Sequence, residues 1–224
     1  MKPIERLLQF MIRPWVVIGY LALIVVSYLY LDQSVALYFY NLDLKTKFPQ
    51  MLWIARLGEG AFYIVLFFCA ALYFRFIRKN HKYEKRAWFL WLCILVPYAI
   101  CCVLKMMLGR ARPELLFTEH LYGFYGIHFH SEFWSFPSGH TTTIMALVFG
   151  LSFLFARQTW VFMLLGILMV STRILLTQHY LSDVLATSYI TLGEIGLLTF
   201  WLKSHLQINE AQTPNSGYNM QHIE

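Results

Sequence analysis

Charge is scarce in this 224-residue chain: Asp, Glu, Lys and Arg make up 13% of it, whereas 58% is hydrophobic and 18% aromatic. An ordinary soluble domain carries about 25% charged residues, so this composition excludes one and points to a membrane protein. Cysteine is sparing too. Cys69, Cys93, Cys101 and Cys102 all fall inside apolar runs, and the adjacent pair 101/102 faces different sides of a helix, which excludes a disulfide framework and leaves small core residues. Internal repeats and any stretch polar enough for a soluble domain are absent. The first apolar run follows Lys2, Arg6 and Arg13 as a signal peptide would, yet "SYLYLDQS" lacks a small-x-small cleavage site, so an uncleaved span is expected.

What is present is a series of apolar runs. A transmembrane helix needs about 20 mostly apolar residues to cross a hydrocarbon core of roughly 30 Å, and six stretches approach that length: 14–31, 60–76, 87–107, 138–156, 159–177 and 183–202. The expected fold is therefore all-α, an integral membrane bundle of six transmembrane helices over residues 1–202, with a polar tail, 203–224, that has no periodicity and is expected to be disordered. "IERLLQFMI" has apolar residues at 4, 7, 8 and 11, the spacing of an amphipathic helix lying in the interface. The first external loop mixes aromatics with charges and is expected to form a helix at headgroup level.

Basic residues set the orientation. "RFIRKNHKYEKR" carries Arg75, Arg78, Lys79, Lys82, Lys85 and Arg86, and with Lys2, Arg6, Arg13, Arg157 and Lys203 they mark one side as cytoplasmic. Both termini are then expected inside an inner or plasma membrane. The basic loop reads as a topology signal that touches anionic headgroups, not as a nucleic-acid surface.

The other side has Lys45, Lys47 and Arg56 and four more cations, Lys105, Arg110, Arg112 and Arg173, which sit at the outer ends of spans, where ionisable groups are costly and mark function. Lys105 and Arg112 lie two helical turns apart and face one way before Pro113 ends the span; snorkelling cations at a membrane boundary are the alternative. On the same side "PSGH" opens the fourth span. Ser138 can cap the helix, Gly139 lets a ligand approach the backbone, and helix-start amides bind phosphate, with His140 in reach; a plain cap is the alternative. In "STRILLTQHYLSDV", His179 and Asp183 are one turn apart, so the carboxylate can accept from one imidazole nitrogen and leave the other basic, as in a nucleophilic site. A capped helix start with a simple His-Asp hydrogen bond is again the alternative.

Taken in order, Lys105-x6-Arg112-Pro113, Pro137-Ser138-Gly139-His140 and Thr172-Arg173-x5-His179-x3-Asp183 resemble the type 2 phosphatidic acid phosphatase family, the integral-membrane lipid phosphate phosphatases. Thr172 stands where the family pattern has Ser; it keeps a hydroxyl, though Ser171 beside it could shift that contact. The resemblance implies that His179 attacks phosphorus to form a phosphohistidine, oriented by Asp183. It implies that His140 protonates the leaving group and then activates water, and that Lys105, Arg112, Arg173, Ser138 and the Gly139 amide hold the phosphate. No metal or other cofactor is implied, since three fixed cations can do that work. Arg110, five residues from Lys105 and off its face, is a weak candidate for headgroup binding.

"TEHLYGFYGIHFHSE" competes as a site, because Glu119, His120, His128, His130 and Glu132 could bind a transition metal; an interfacial lid over the substrate head fits its aromatic content better. Glu194 in the sixth span is read as a polar contact between helices. The expected function is a lipid phosphate or diphosphate phosphatase on the external or periplasmic side, with a lipid phosphotransferase and an anionic-lipid transporter as alternatives. Undecaprenyl diphosphate, phosphatidylglycerophosphate, phosphatidic acid and lipid A all fit the motifs. The partners expected are the membrane and that lipid; nothing marks an obligate protein partner.

Overall fold

The computed structural model describes residues 2–212, with side chains to residue 204. It is all-helical, without a strand among the described residues. A short helix α1 (Pro3–Met11) leads into α2 (Pro14–Leu42); α3 (Leu44–Lys47) and α4 (Gln50–Arg56) follow as short pieces. Then come α5 (Gly60–Ile77), α6 (His81–Leu108), α7 (Pro113–Glu119), α8 (Gly139–Leu154), α9 (Thr159–Leu175) and α10 (Leu181–Gln212). Prolines at the first positions of α1, α2 and α7 start those helices, where a missing N–H costs nothing.

Five helices are long and apolar enough to cross a membrane, and α8 is a shorter apolar one of 16 residues. At about 1.5 Å per residue, α8 falls short of a hydrocarbon core of about 30 Å. It is nonetheless the centre of the bundle. Ile144, Met145, Ala146, Val148, Phe149 and Phe153 are buried on it, packed with Cys93 and Ile94 of α6, Val170 of α9, and Val184, Leu192 and Ile195 of α10. Glycines set the closest crossings: a Cβ on Gly150 would stand 3.1 Å from Leu90, and one on Gly166 would stand 2.7 Å from Val148. Small residues at such points let membrane helices approach. Leu21, Val65, Leu168, Phe200 and Trp201 point outward, as a lipid-facing surface requires.

Boundaries differ from the sequence reading in three places. The first span continues through a π-helical turn, Ser27–Leu31, to Leu42, so Asp32 lies within the helix and not in an external loop. The basic loop shrinks to a tight turn, because α5 runs on through a second π turn, Tyr73–Ile77, and Asn80 caps α6 by accepting from the Tyr83 N–H. The last helix extends past residue 202 to Gln212, since no proline or glycine interrupts it before Pro214; residues 213–224 of the expected tail lie outside the described residues.

The apolar stripe of α1 also finds a partner within the protein. Ile4 is fully buried, Leu7, Leu8 and Met11 pack on the core, and Lys2 Nζ donates to the Phe153 carbonyl at 2.6 Å. Short helices do form between the first two long apolar helices, as α3 and α4. All four cysteines are free thiols.

Candidate active site

Three chain reversals bring the motifs together. Helix α6 ends just past Lys105, where Gly109 takes a left-handed φ of 54° and its N–H donates to the Lys105 carbonyl. The following strap is held by backbone bonds, Ala111 N–H to Gly123 O at 3.0 Å and Arg112 N–H to Glu132 O at 2.9 Å, which fix Arg112 before Pro113 starts α7. At the other end of the loop Ser138 caps α8, its Oγ accepting from the Thr141 N–H. After α9 the N–H groups of Gln178 and His179 both donate to the Arg173 carbonyl, at 3.0 and 3.3 Å, folding the turn so that His179 stands beside Arg173.

Lys105, Arg112, Gly139, His140, Arg173 and His179 then line one cavity of about 300 Å³. A Cβ on Gly139 would lie 3.2 Å from Lys105 Nζ, so only glycine leaves the ammonium undisturbed beside the first turn of α8. The Nε atoms of Arg112 and Arg173 are buried without a hydrogen-bond partner. Burial also pulls Arg112 below its ordinary pKa, against the opposing fields of Asp183 and Glu114. Such a cluster is short of negative charge, the condition for binding a phosphate.

His179 is 2% exposed, and its Nδ1 lies 2.7 Å from the Ser135 carbonyl. A carbonyl only accepts, so Nδ1 carries the hydrogen and the neutral ring keeps its lone pair on Nε2. Burial, more than offsetting the Asp183 carboxylate, brings the pKa of His179 from 6.5 down to about 3. The ring is therefore neutral at pH 7, as a nucleophile must be.

Two expected residues stand elsewhere. Asp183 was expected to accept directly from His179, but its Oδ2 is 3.8 Å from Nδ1. It accepts instead from Ser135 Oγ at 2.6 Å, from the Tyr180 N–H at 3.0 Å and from Arg110. Its hold on the imidazole runs through Ser135, whose hydroxyl it binds and whose carbonyl orients the ring. Ser138 is fully buried, with its Oγ also accepting from Thr141 Oγ1 at 2.9 Å and its own N–H donating to Thr187; it caps α8 and is not among the cavity's lining residues.

Arg110 is corrected more sharply. Far from meeting headgroups, it is 2% exposed, reaching Asp32 at 2.7 Å, Asp183, and Ser182 Oγ at 2.9 Å, with the rings of Tyr28 and Tyr180 within 5 Å. The opposing carboxylates outweigh burial and raise its pKa. Asp32, fully buried, also accepts from the Ser182 N–H at 2.9 Å and so caps α10.

The sequence reading missed the wall formed by Gly58, Glu59 and Gly60, which lines the same cavity. A Cβ on Gly58 would meet His140 Cδ2 at 2.9 Å and one on Gly60 would meet Tyr98 at 2.7 Å. Two glycines flanking an acid ahead of an apolar run were the available signal. The histidine loop lies apart from the cavity: His128 stacks on Phe133 at 4.2 Å, and among the described residues no three His, Cys, Asp or Glu side chains group as a metal site would require. Glu194 stands beside Cys101, Thr142 and Thr191 without a hydrogen bond among the described residues.

The model of the PAP2 superfamily matches residues 86–206, more than half of the chain, which spans all three motifs. The chain belongs to this family, the type 2 phosphatidic acid phosphatases, and is a multi-pass membrane protein. Among its relatives are lipid A 1-phosphatases of Rhizobium johnstonii, 28% identical, and Rhizobium etli, 27% identical, each over 150 residues and 64% of this chain. The chain spans only 59% and 62% of those relatives' lengths. A crystal structure of a transmembrane PAP2-type phosphatidylglycerolphosphate phosphatase from Bacillus subtilis aligns over 90% of this chain and 92% of its own, with a TM-score of 0.43 and 16% identity.

Proposed function

We propose that this protein is a membrane lipid phosphate phosphatase that works through a phosphohistidine. The observation that carries the reading is the cavity in which Lys105, Arg112 and Arg173 converge on two imidazoles while the guanidinium Nε atoms have no protein acceptor. Phosphoryl transfer needs its equatorial oxygens neutralised, an in-line nucleophile and a proton for the leaving oxygen. The three cations and the Gly139 amide supply the first. Nε2 of His179 attacks phosphorus, forming the P–N bond as the P–O bond to the lipid breaks, and His140 gives its proton to the departing oxygen. His140 then takes a proton from water, whose oxygen attacks phosphorus and breaks the P–N bond, releasing inorganic phosphate and the free nitrogen of His179. Ser138 serves as the cap that presents the Gly139 amide, and Asp183 as the group that steadies Ser135. The reading uses no metal, because three fixed cations hold the charge that a metal would. Lipid A is favoured among the substrates by the relatives, both lipid A 1-phosphatases.

The test is phosphate release from lipid A, phosphatidic acid, phosphatidylglycerophosphate and undecaprenyl diphosphate by purified protein in excess chelator. Release that persists with EDTA and is blocked by vanadate, a mimic of the five-coordinate phosphoryl group, is expected. Loss with EDTA and recovery with Zn²⁺ or Mg²⁺ would move the His128 and His130 loop into the chemistry.

The reading includes six spans, with α8 as the fourth, α1 at the cytoplasmic interface and the cavity facing the external or periplasmic side of the inner membrane. Its support is the basic cluster Arg75 to Arg86 at the opposite ends of α5 and α6. A cysteine placed at residue 130 should react with an impermeant thiol reagent in intact cells or spheroplasts; reaction only after lysis reverses the orientation.

A further inference from the structure

The wall at residues 58–60 puts an acid where an anion is to bind. Among the residues that line the phosphate cavity, Glu59 brings the one carboxylate, against the cations Lys105, Arg112 and Arg173. Like charges brought together cost free energy, so an acid on this lining needs a reason.

The fold does not supply one. Glu59 is the N-cap residue of α5, where a carboxylate oxygen commonly accepts from the first turn, yet its side chain makes no capping bond. It is exposed, and no hydrogen bond or ion pair joins its carboxylate to another described residue. Its charge nevertheless reaches Arg173 and Tyr98, both on the cavity's lining. The two buried glycines hold it in place. The backbone at Gly58 lies against the His140 ring, and a Cβ on Gly60 would meet Thr143 Oγ1 at 2.8 Å as well as Tyr98.

We propose that Glu59 is a specificity-determining residue that reads the charge of the leaving group, admitting a phosphate monoester and disfavouring a diphosphate. The inference rests on the phosphatase reading, in which His140 protonates the leaving oxygen, so that whatever the phosphate is bonded to departs past that ring. Gly58 packs on the ring and Glu59 follows it, which sets the carboxylate beside the leaving group. A monoester leaves as an uncharged alcohol. A diphosphate leaves as a phosphate that is itself anionic, and Glu59 repels it. The three cations and the carboxylate give the lining two net positive charges, which match the charge of about −2 on a monoester at pH 7.

The experiment compares initial phosphate release from phosphatidic acid and from diacylglycerol diphosphate, which differ by one phosphate on the same lipid. Both are presented in mixed detergent micelles to wild-type protein, Glu59→Gln and Glu59→Asp. An exposed residue without a partner can be replaced without disturbing the packed bundle. The wild type is expected to prefer the monoester. Glu59→Gln keeps the shape and loses the charge, and should raise kcat/KM for the diphosphate relative to the monoester by about three- to fivefold, the size of one screened repulsion at an exposed carboxylate. Glu59→Asp keeps the charge and should stay near the wild-type ratio. Phosphate release with a ratio unchanged in Glu59→Gln, including one held at zero, overturns the charge reading alone. So does a ratio that moves as far with Asp as with Gln, or a wild type that prefers the diphosphate. Release from neither lipid overturns the phosphatase reading and the role of Glu59 together.

Discussion

Replacing Arg110 by Met is expected to destabilise the protein by about 3–5 kcal/mol, the cost of removing one partner from a buried charge cluster. Asp32 and Asp183 are both fully buried, and the guanidinium is the group that lies between them. Methionine keeps much of the volume and removes the charge, so the loss reads out electrostatics more than packing. Without it, one carboxylate must take up a proton or the outer end of the bundle must open to water. Asp32→Asn in the Arg110→Met background removes one of the two stranded charges and should recover part of the loss, a coupling that independent sites would not show. Thermal unfolding in detergent measures both. An Arg110→Met protein that unfolds at the wild-type temperature would disprove the cluster's role. Activity should fall in parallel, because Asp183 holds Ser135 and Ser135 holds the imidazole.

The placement of Arg110 marks where the sequence stopped being legible. Spacing along a single helix separates Lys105 and Arg112 from Arg110, and the structure keeps that separation: two line the cavity and the third turns away. What helical periodicity could not tell is where the third goes, since its partners Asp32 and Asp183 lie 78 and 73 residues distant along the chain. A buried acid within an apolar run is itself a signal, and Asp32 would have given it had the first helix not been ended too early. The π turn at Ser27–Leu31 carries that helix on, and nothing in the local composition of "SYLYL" announces it.

The site was legible because each of its groups is tied to a local device with a sequence signature: a capped helix start at Ser138, a proline at 113, a short turn before His179. Six of the eight residues expected there do line one cavity. Asp183 was misjudged at a finer scale. Its spacing from His179 puts both on one face, as expected, but face is a coarser property than hydrogen-bond distance, and a backbone carbonyl arriving from Ser135 occupies the nearer place. Backbone groups leave no mark in side-chain patterns. The glycine wall at 58–60 escaped for a related reason, because its contribution is the absence of side chains against His140 and Tyr98.

Replacing His179 by Ala should abolish turnover, by about 10⁴-fold or more if it behaves as catalytic nucleophiles elsewhere do, and should also abolish the phosphoenzyme. Replacing His140 should cost about 10²–10⁴-fold, the usual worth of a general acid-base, and should spare the attack itself. For a nitrophenyl phosphate, whose leaving group departs without a proton, kcat/KM, which reports formation of the phosphoenzyme, should therefore fall far less in His140→Ala than it does for a lipid phosphate, while His179→Ala rescues neither. The structure adds a pH dependence. A pKa lowered to about 3 by burial keeps His179 neutral down to that value, so the acid limb of kcat/KM that belongs to the nucleophile should lie well below the ordinary imidazole value of 6.5. Protonation of His179 removes activity only as pH falls toward the lowered pKa. Because the Ser135 carbonyl and not Asp183 receives the Nδ1 hydrogen, Asp183→Asn should leave the tautomer in place and cost less than it would in a triad whose carboxylate fixes the ring directly. The deciding measurement is acid-labile, base-stable phosphate trapped by quenching during turnover. It should sit on His179 in the wild type and accumulate in His140→Ala, where water attack has lost its base. Label on His140, or turnover that survives His179→Ala, would reverse the roles given to the two histidines.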